Sequence, residues 1–186
     1  FGTGGALYFQ SAGPKYIQNS RFIRNTACDQ GGAIRLHGIN DGFVSIANCL
    51  FAGNRCNQRR GGALYIDGGA GSICVNSDFV GNTAGLGGGA SIGFIDFSAC
   101  TFAFNESDST GAGAIAIGDS VPHAISNCIF WENRASGLLN HVSVTTSGLV
   151  SVDYSLIQDD DPNDAIIPFG GLANGNIDDD PLFVRM

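Results

Sequence analysis

The sequence predicts an all-β fold: a right-handed, single-stranded parallel β-helix (a β-solenoid) of about six coils, with 23 to 29 residues per coil. Three observations carry that prediction. An Asn/Ala-Ser/Cys-x-Phe-x-x-Asn segment occurs five times, with its Phe residues 29, 28, 23 and 28 positions apart. A Gly-Gly-Ala-aliphatic segment falls between the copies. Every period also carries three- to five-residue stretches of alternating polarity, the signature of a strand, and none shows helical periodicity.

The copies are Asn19–Asn25, Asn48–Asn54, Asn76–Asn82, Ala99–Asn105 and Asn127–Asn133, with a degenerate sixth at Tyr154–Gln158. The intervening motif reads Gly4-Gly5-Ala6, Gly31-Gly32-Ala33, Gly61-Gly62-Ala63, Gly88-Gly89-Ala90 and Ala112-Gly113-Ala114. Two or three strands are expected per period, such as Ala33–Leu36, Val44–Ile46 and Leu64–Ile66. Coils so built pair in parallel at about 4.8 Å, and crossover chirality favours the right hand. Phe22, Phe51, Phe79, Phe102 and Phe130 then point inward and stack. Asn25, Asn54, Asn82, Asn105 and Asn133 sit at bends, bonding neighbouring backbone and their own equivalents. The paired glycines permit positive φ or close backbone approach. Residues 1–158 form the repeats, and residues 159–186 form an acidic closing segment of the same domain.

Composition narrows the function classes. The chain has 186 residues, 28 of them Gly, with 44% hydrophobic and 14% charged. No apolar run approaches the ~20 residues of a membrane-spanning helix. The net charge is −8, of which −7 lies from Asp153 onward. A balanced body with an acidic end does not suit nucleic acid, which needs a basic face, and offers no polybasic handle for anionic lipid. Phe1 opens the chain and its one Met is last, which points to a processed or trimmed polypeptide.

Six cysteines fit an oxidising, extracellular compartment. Cys49, Cys100 and Cys128 share a repeat position with Ser20, Ser77 and Ser155, a small inward site that suits buried free thiols. Cys28 and Cys56 both lie between a repeat Asn and the next Gly-Gly; adjacent coils are within disulfide range, so these two are the bridge candidates, with free thiols as the alternative. Cys74 has Cys49 and Cys100 on neighbouring coils. No Cys/His spacing matches zinc.

Asp159, Asp160, Asp161 and Asp164, with Asp178, Asp179 and Asp180, make two oxygen-rich loops. They read either as a solvated acidic surface with Asx-turns or as a calcium site, without the spacing of an EF-hand; no other cofactor is implied. Catalysis by paired carboxylates finds little support. Aligning the coils on Gly-Gly-Ala places His37, Asp67 and Phe94 in one column, with Gly118 next. The three histidines, 37, 123 and 141, are scattered. Tyr8, Tyr65 and Trp131 are the aromatic candidates for sugar stacking. Asn105-Glu106-Ser107 is a formal glycosylation sequon, but Asn105 is also the repeat Asn.

The alternation of Gly-Gly-Ala-aliphatic with Phe-x-x-Asn resembles the repeats of chlamydial polymorphic outer membrane proteins and of related bacterial surface and secreted β-helix proteins. The stretch Gly175–Phe183 resembles the closing segment of such helices in environmental bacteria. The resemblance implies a passenger or stalk region used in adhesion and surface display, with no catalytic residues. The expected function is therefore a non-enzymatic, extracellular or cell-surface structural or adhesive β-helix. A carbohydrate-active or carbohydrate-binding β-helix is the alternative. Because the chain starts within a Gly-Gly-Ala motif with no capping helix, either a longer β-helix continues or copies stack head to tail into a filament or layer. The expected ligands are a glycan or a host surface.

Overall fold

A computed structural model describes residues 2, 4–39, 42–69, 71–109, 111–119, 121–144, 150–158 and 174–183. The chain winds as a parallel β-solenoid of about five turns, in four sheets of six strands each. One turn, running through Leu64–Gly68, Ser72–Val75, Asp78–Val80 and Thr83–Ala84, contributes to sheets A, B, C and D in that order. The fourth strand exceeds the expected two or three per period. It is only two residues long in each complete turn, too short for alternation to be seen.

Alternation dictates the faces. In Val44–Ala47 the residues Val44 and Ile46 are buried while Ser45 and Ala47 are partly exposed. The repeat phenylalanines line up on sheet C, pairing Phe22 with Phe51, Phe51 with Phe79, Phe79 with Phe102, and Phe102 with Phe130. Their rings stack nearly parallel, with centroids 5.0, 4.6, 4.7 and 5.2 Å apart. That is the coil spacing itself. Phe97 abuts Phe79 and Phe102 edge-on from sheet B.

Beside this stack runs an asparagine ladder. Asn54 Oδ1 accepts hydrogen bonds from both the backbone N–H and Nδ2 of Asn25. Asn82 does the same for Asn54, Asn105 for Asn82, and Asn133 for Asn105. The Nδ2 of Asn54, Asn82, Asn105 and Asn133 also donates to the carbonyl of the Phe one coil back. These four side chains are 0% exposed. The bend is entered through a left-handed residue: Arg24, Gly53, Gly81, Phe104 and Glu132 have φ of 50–62°. Where that residue is not glycine, the conformation costs roughly 1 kcal/mol.

The Ser/Cys position forms a third ladder. Ser20, Cys49, Ser77, Cys100, Cys128 and Ser155 each donate to the carbonyl two residues earlier. Gly-Gly marks the tightest inter-coil approach: a Cβ on Gly32 would lie 1.9 Å from the Gly62 carbonyl oxygen. In the fourth coil the motif slips by one, because Ala90 pairs with Leu64. Gly87-Gly88-Gly89, not Gly88-Gly89-Ala90, therefore occupies the Gly61-Gly62-Ala63 position. Three successive glycines carry no side-chain parity, and Ala90 and Ile92 both have to face inward.

The far end departs from pure parallel winding. Arg134–Ala135 pairs antiparallel with Leu138–Leu139 around Ser136 and Gly137, both at positive φ, as a two-residue hairpin turn requires. Residues 174–177 add one further rung. Asn176 Oδ1 accepts from Ser155 N, Asn176 Nδ2 donates to Val152 O, and Ile177 bridges to Leu156.

Asn82→Ala strands the Phe51 carbonyl and the Asn54 donors in the core, so urea unfolding should show a loss of about 3 kcal/mol or more, against about 1 kcal/mol for Asn25→Ala at the ladder's edge. Equal losses would refute the ladder's role. Separately, Arg134, and after it Gln158, hold the Glu132 carboxyl below its ordinary range. A lowered folded-state pKa adds stability that is full above the unfolded value, about 4.3, and fades as pH falls through the folded one. The stability gap between the wild type and Glu132→Gln, under about 1 kcal/mol for so exposed a pair, should hold at neutral pH and close in acid.

Candidate functional site

The repeat residues that specify the coil are consumed inside it, so recognition falls to the outer faces. On sheet A the outward column reads Tyr8, Arg35, Tyr65, Ser91, Ala116 and Ser143, set by parallel register. The Arg35 guanidinium lies between two rings, 5.4 Å from the Tyr8 centroid and 5.8 Å from that of Tyr65. Tyr8 is 43% exposed and Tyr65 only 9%. Burial, and then the Asp67 carboxylate, push the Tyr65 phenol up, with Arg60 and Arg35 opposing. Arg35 Nε is buried and has no hydrogen-bond partner among the described residues.

Two residues further along the strand, His37 and Asp67 face each other across adjacent coils, with Nδ1 2.6 Å from Oδ2. The Gly38 N–H also donates to Asp67, at 2.9 Å. With the corrected register, the next positions in this column are Gly93 and Gly118; Phe94 is one residue beyond. The absence of side chains there opens a hollow of about 110 Å³ bordered by Arg60, Tyr65, Asp67, Phe94 and Asp119.

Asp119 enters from the neighbouring coil. Its Oδ2 accepts from Phe94 N at 2.8 Å, and its Oδ1 meets His123 Nε2 at 2.7 Å. The His123 ring is buried, with its other nitrogen 3.2 Å from the Ile95 carbonyl. Both ring nitrogens therefore face oxygen acceptors. Asp119 also holds Phe94 at a φ of 70°. A Cβ on Gly93 would sit 2.9 Å from Asp119 Oδ2. A second groove, of about 470 Å³, lies on the other side of Arg60, with Gln30, Gln58, Arg59 and Leu86 among its walls.

The expected site residues distribute unevenly. Tyr8 and Tyr65 share one face, whereas Trp131 lies on the outer side of sheet C beside Ala103, so the three form no single platform. Cys28 and Cys56 are not bridged; all six cysteines are free. Register pairs Cys56 with Ala27, and Cys28, one residue on, is exposed while Cys56 is buried and its thiol meets the Asp29 carbonyl. The two stand three and two residues after their repeat Asn, an offset that places them on opposite faces. Cys100 Sγ lies 4.0 Å from Cys74 Sγ, unbonded. Asn105 is fully buried in its ladder, which leaves its sequon inaccessible in the folded chain.

Of the acidic candidates, Asp159, Asp160, Asp161 and Asp164 lie outside the described residues. Asp178, Asp179 and Asp180 are exposed; Asp180 accepts an Asx-type bond from Leu182 N, and Asp179 accepts one from the adjacent Asp180 N. Among the described residues no three His, Cys, Asp or Glu side chains gather as a metal site, and no helix is long and apolar enough to cross a membrane. Asp119 escaped the sequence reading, which left His123 among scattered histidines and did not join Arg60 to Asp67. The meeting of Arg60 and Asp119 with Asp67 depends on coil register, and no linear motif encodes it.

Thiol chemistry tests this placement. Burial pushes the Cys49 thiol up, and the neighbouring Cys100 thiol together with burial pushes up Cys128. A disulfide reagent should therefore modify one thiol, Cys28, rapidly in the native protein and all six once it is unfolded. Fewer than six in denaturant would mean a bridge. Comparison with protein-family models, with curated proteins and with solved structures finds no match for this chain.

Proposed function

We propose that this chain is a non-enzymatic, extracellular or cell-surface structural or adhesive β-solenoid whose copies associate head to tail. One observation carries the reading: charge is segregated along the solenoid axis. Because turns stack in chain order, position in sequence is position along that axis. Among the described residues, those up to Arg60 hold seven Lys/Arg against one Asp, a net of +6, while those beyond it hold one Arg against eleven Asp/Glu, a net of −10. The exposed Asp178, Asp179 and Asp180 follow the last rung at the acidic end.

A basic end facing an acidic end steers association in one polarity and disfavours the reverse, since like-charged ends repel. The interface is heterologous, and such contacts extend into filaments when their rotation does not close. At ~0.15 M salt the Debye length is about 8 Å, less than two coil spacings, so only facing ends interact and the overall charge of −8 is screened.

Light scattering and negative-stain microscopy test the proposal. Elongated multimers are expected at ~0.15 M salt and smaller species at ~1 M, where the Debye length falls to about 3 Å. Replacing Asp178, Asp179 and Asp180 together with Asn should shift the equilibrium toward single copies. Single copies at both salt concentrations would sink the idea.

A further inference from the structure

We propose that the outer face of the basic coils, centred on the Tyr8–Arg35–Tyr65 stack and Arg60, binds an acidic oligosaccharide through its carboxylate or sulfate groups. The inference is independent of end-to-end association, since the face lies on the side of the solenoid. It begins with Arg35. A guanidinium held between two aromatic rings keeps a fixed planar fork of N–H donors, the geometry that matches a carboxylate or sulfate edge. Here the rings are on adjacent coils and the buried Nε has no partner among the described residues. An arginine serving only to pack Tyr8 against Tyr65 would leave that donor uncompensated.

A second cation looks onto the same place. Arg60 borders both the 110 Å³ hollow beside Tyr65 and the 470 Å³ groove beyond it. Neither Arg35 nor Arg60 joins any of the ion pairs formed among the described residues. The acids that face the hollow are already engaged: Asp67 by His37 and the Gly38 N–H, and Asp119 by His123 and the Phe94 N–H. Gln30, in the wall of the larger groove, has a buried Oε1 with no partner among the described residues. It is an acceptor suited to a hydroxyl.

The ligand class follows from these groups. Two guanidinium groups outside every ion pair among the described residues call for anions. The half-exposed Tyr8 ring offers an apolar face on which a pyranose can stack, and the unpaired amide oxygen calls for a neutral hydroxyl. A free phosphate or a single carboxylate would leave the ring and the Gln30 acceptor unused. A sugar chain bearing acidic groups meets all three.

Calorimetric titration with three tetrasaccharides tests the proposal: tetragalacturonate, a sulfated chondroitin-derived tetrasaccharide, and neutral cellotetraose. One or both acidic probes should bind, at least about ten-fold tighter than the neutral one and more weakly as salt rises; which of them binds identifies the anion. Arg60→Gln, an exposed change that should leave folding intact, and Arg35→Lys, which keeps charge but loses the planar fork, should each weaken binding about ten-fold. Arg21→Gln, on sheet C, should not. Tyrosine emission should change on binding, while that of Trp131, on sheet C, stays constant. The proposal fails if the neutral probe binds equally well, if no acidic probe binds the folded protein, or if Arg21→Gln costs as much as Arg60→Gln.

Discussion

Registration of each coil on the next, one peptide spacing away, is the constraint from which the rest of this molecule follows. The asparagine ladder holds it. A buried amide that accepts two hydrogen bonds from the coil on one side, and donates to the carbonyl of a Phe, cannot shift by one residue without stranding several polar groups. Each rung also reproduces the bonding of the previous one, so the ladder polarises along its length. The stacked phenylalanines alone would tolerate sliding, since ring-on-ring contact is soft. Stack and ladder together give the coil both its apolar driving force and its register.

Fixed register also decides what reaches the surface. Every second residue of a strand faces outward, and its neighbours in space are the same positions of adjacent coils rather than its neighbours in sequence. That is how Tyr8, Arg35 and Tyr65 come to stack, and how His37 meets Asp67 from thirty residues away. It also opens the hollow beside them: two glycines in the His37–Asp67 column remove side chains where Asp119 crosses over. The scaffold thereby turns substitutions scattered along the chain into a continuous face without disturbing the core ladders.

The cysteines illustrate how tightly the interior is specified. Serine and cysteine interchange at one position because each needs only to be small and to donate to the carbonyl two residues back. A buried thiol in this setting behaves as a hydrogen-bonding core residue, and its raised pKa keeps it protonated and unreactive. A protein rich in cysteine can thus owe its stability to coil stacking with no bridge at all.

By itself the sequence determined the architecture: all-β, parallel, solenoidal, with Phe and Asn inside. These features repeat, and a repeat makes its own structural role legible because the same residue type returns wherever the same environment does. It fell short where repetition failed. The two-residue strands of sheet D have no alternation to display, the Gly87-Gly88-Gly89 run has no side chains to reveal its parity, and Cys28 looked equivalent to Cys56 despite a one-residue offset that puts them on opposite faces. The described strands make about five turns, against the six coils expected. The surface site depended wholly on the tertiary structure. Arg60 and Asp119 occur once each in their columns, and their meeting with Asp67 and Tyr65 around one hollow arises from the superposition of coils 25 to 30 residues apart, which no local pattern records.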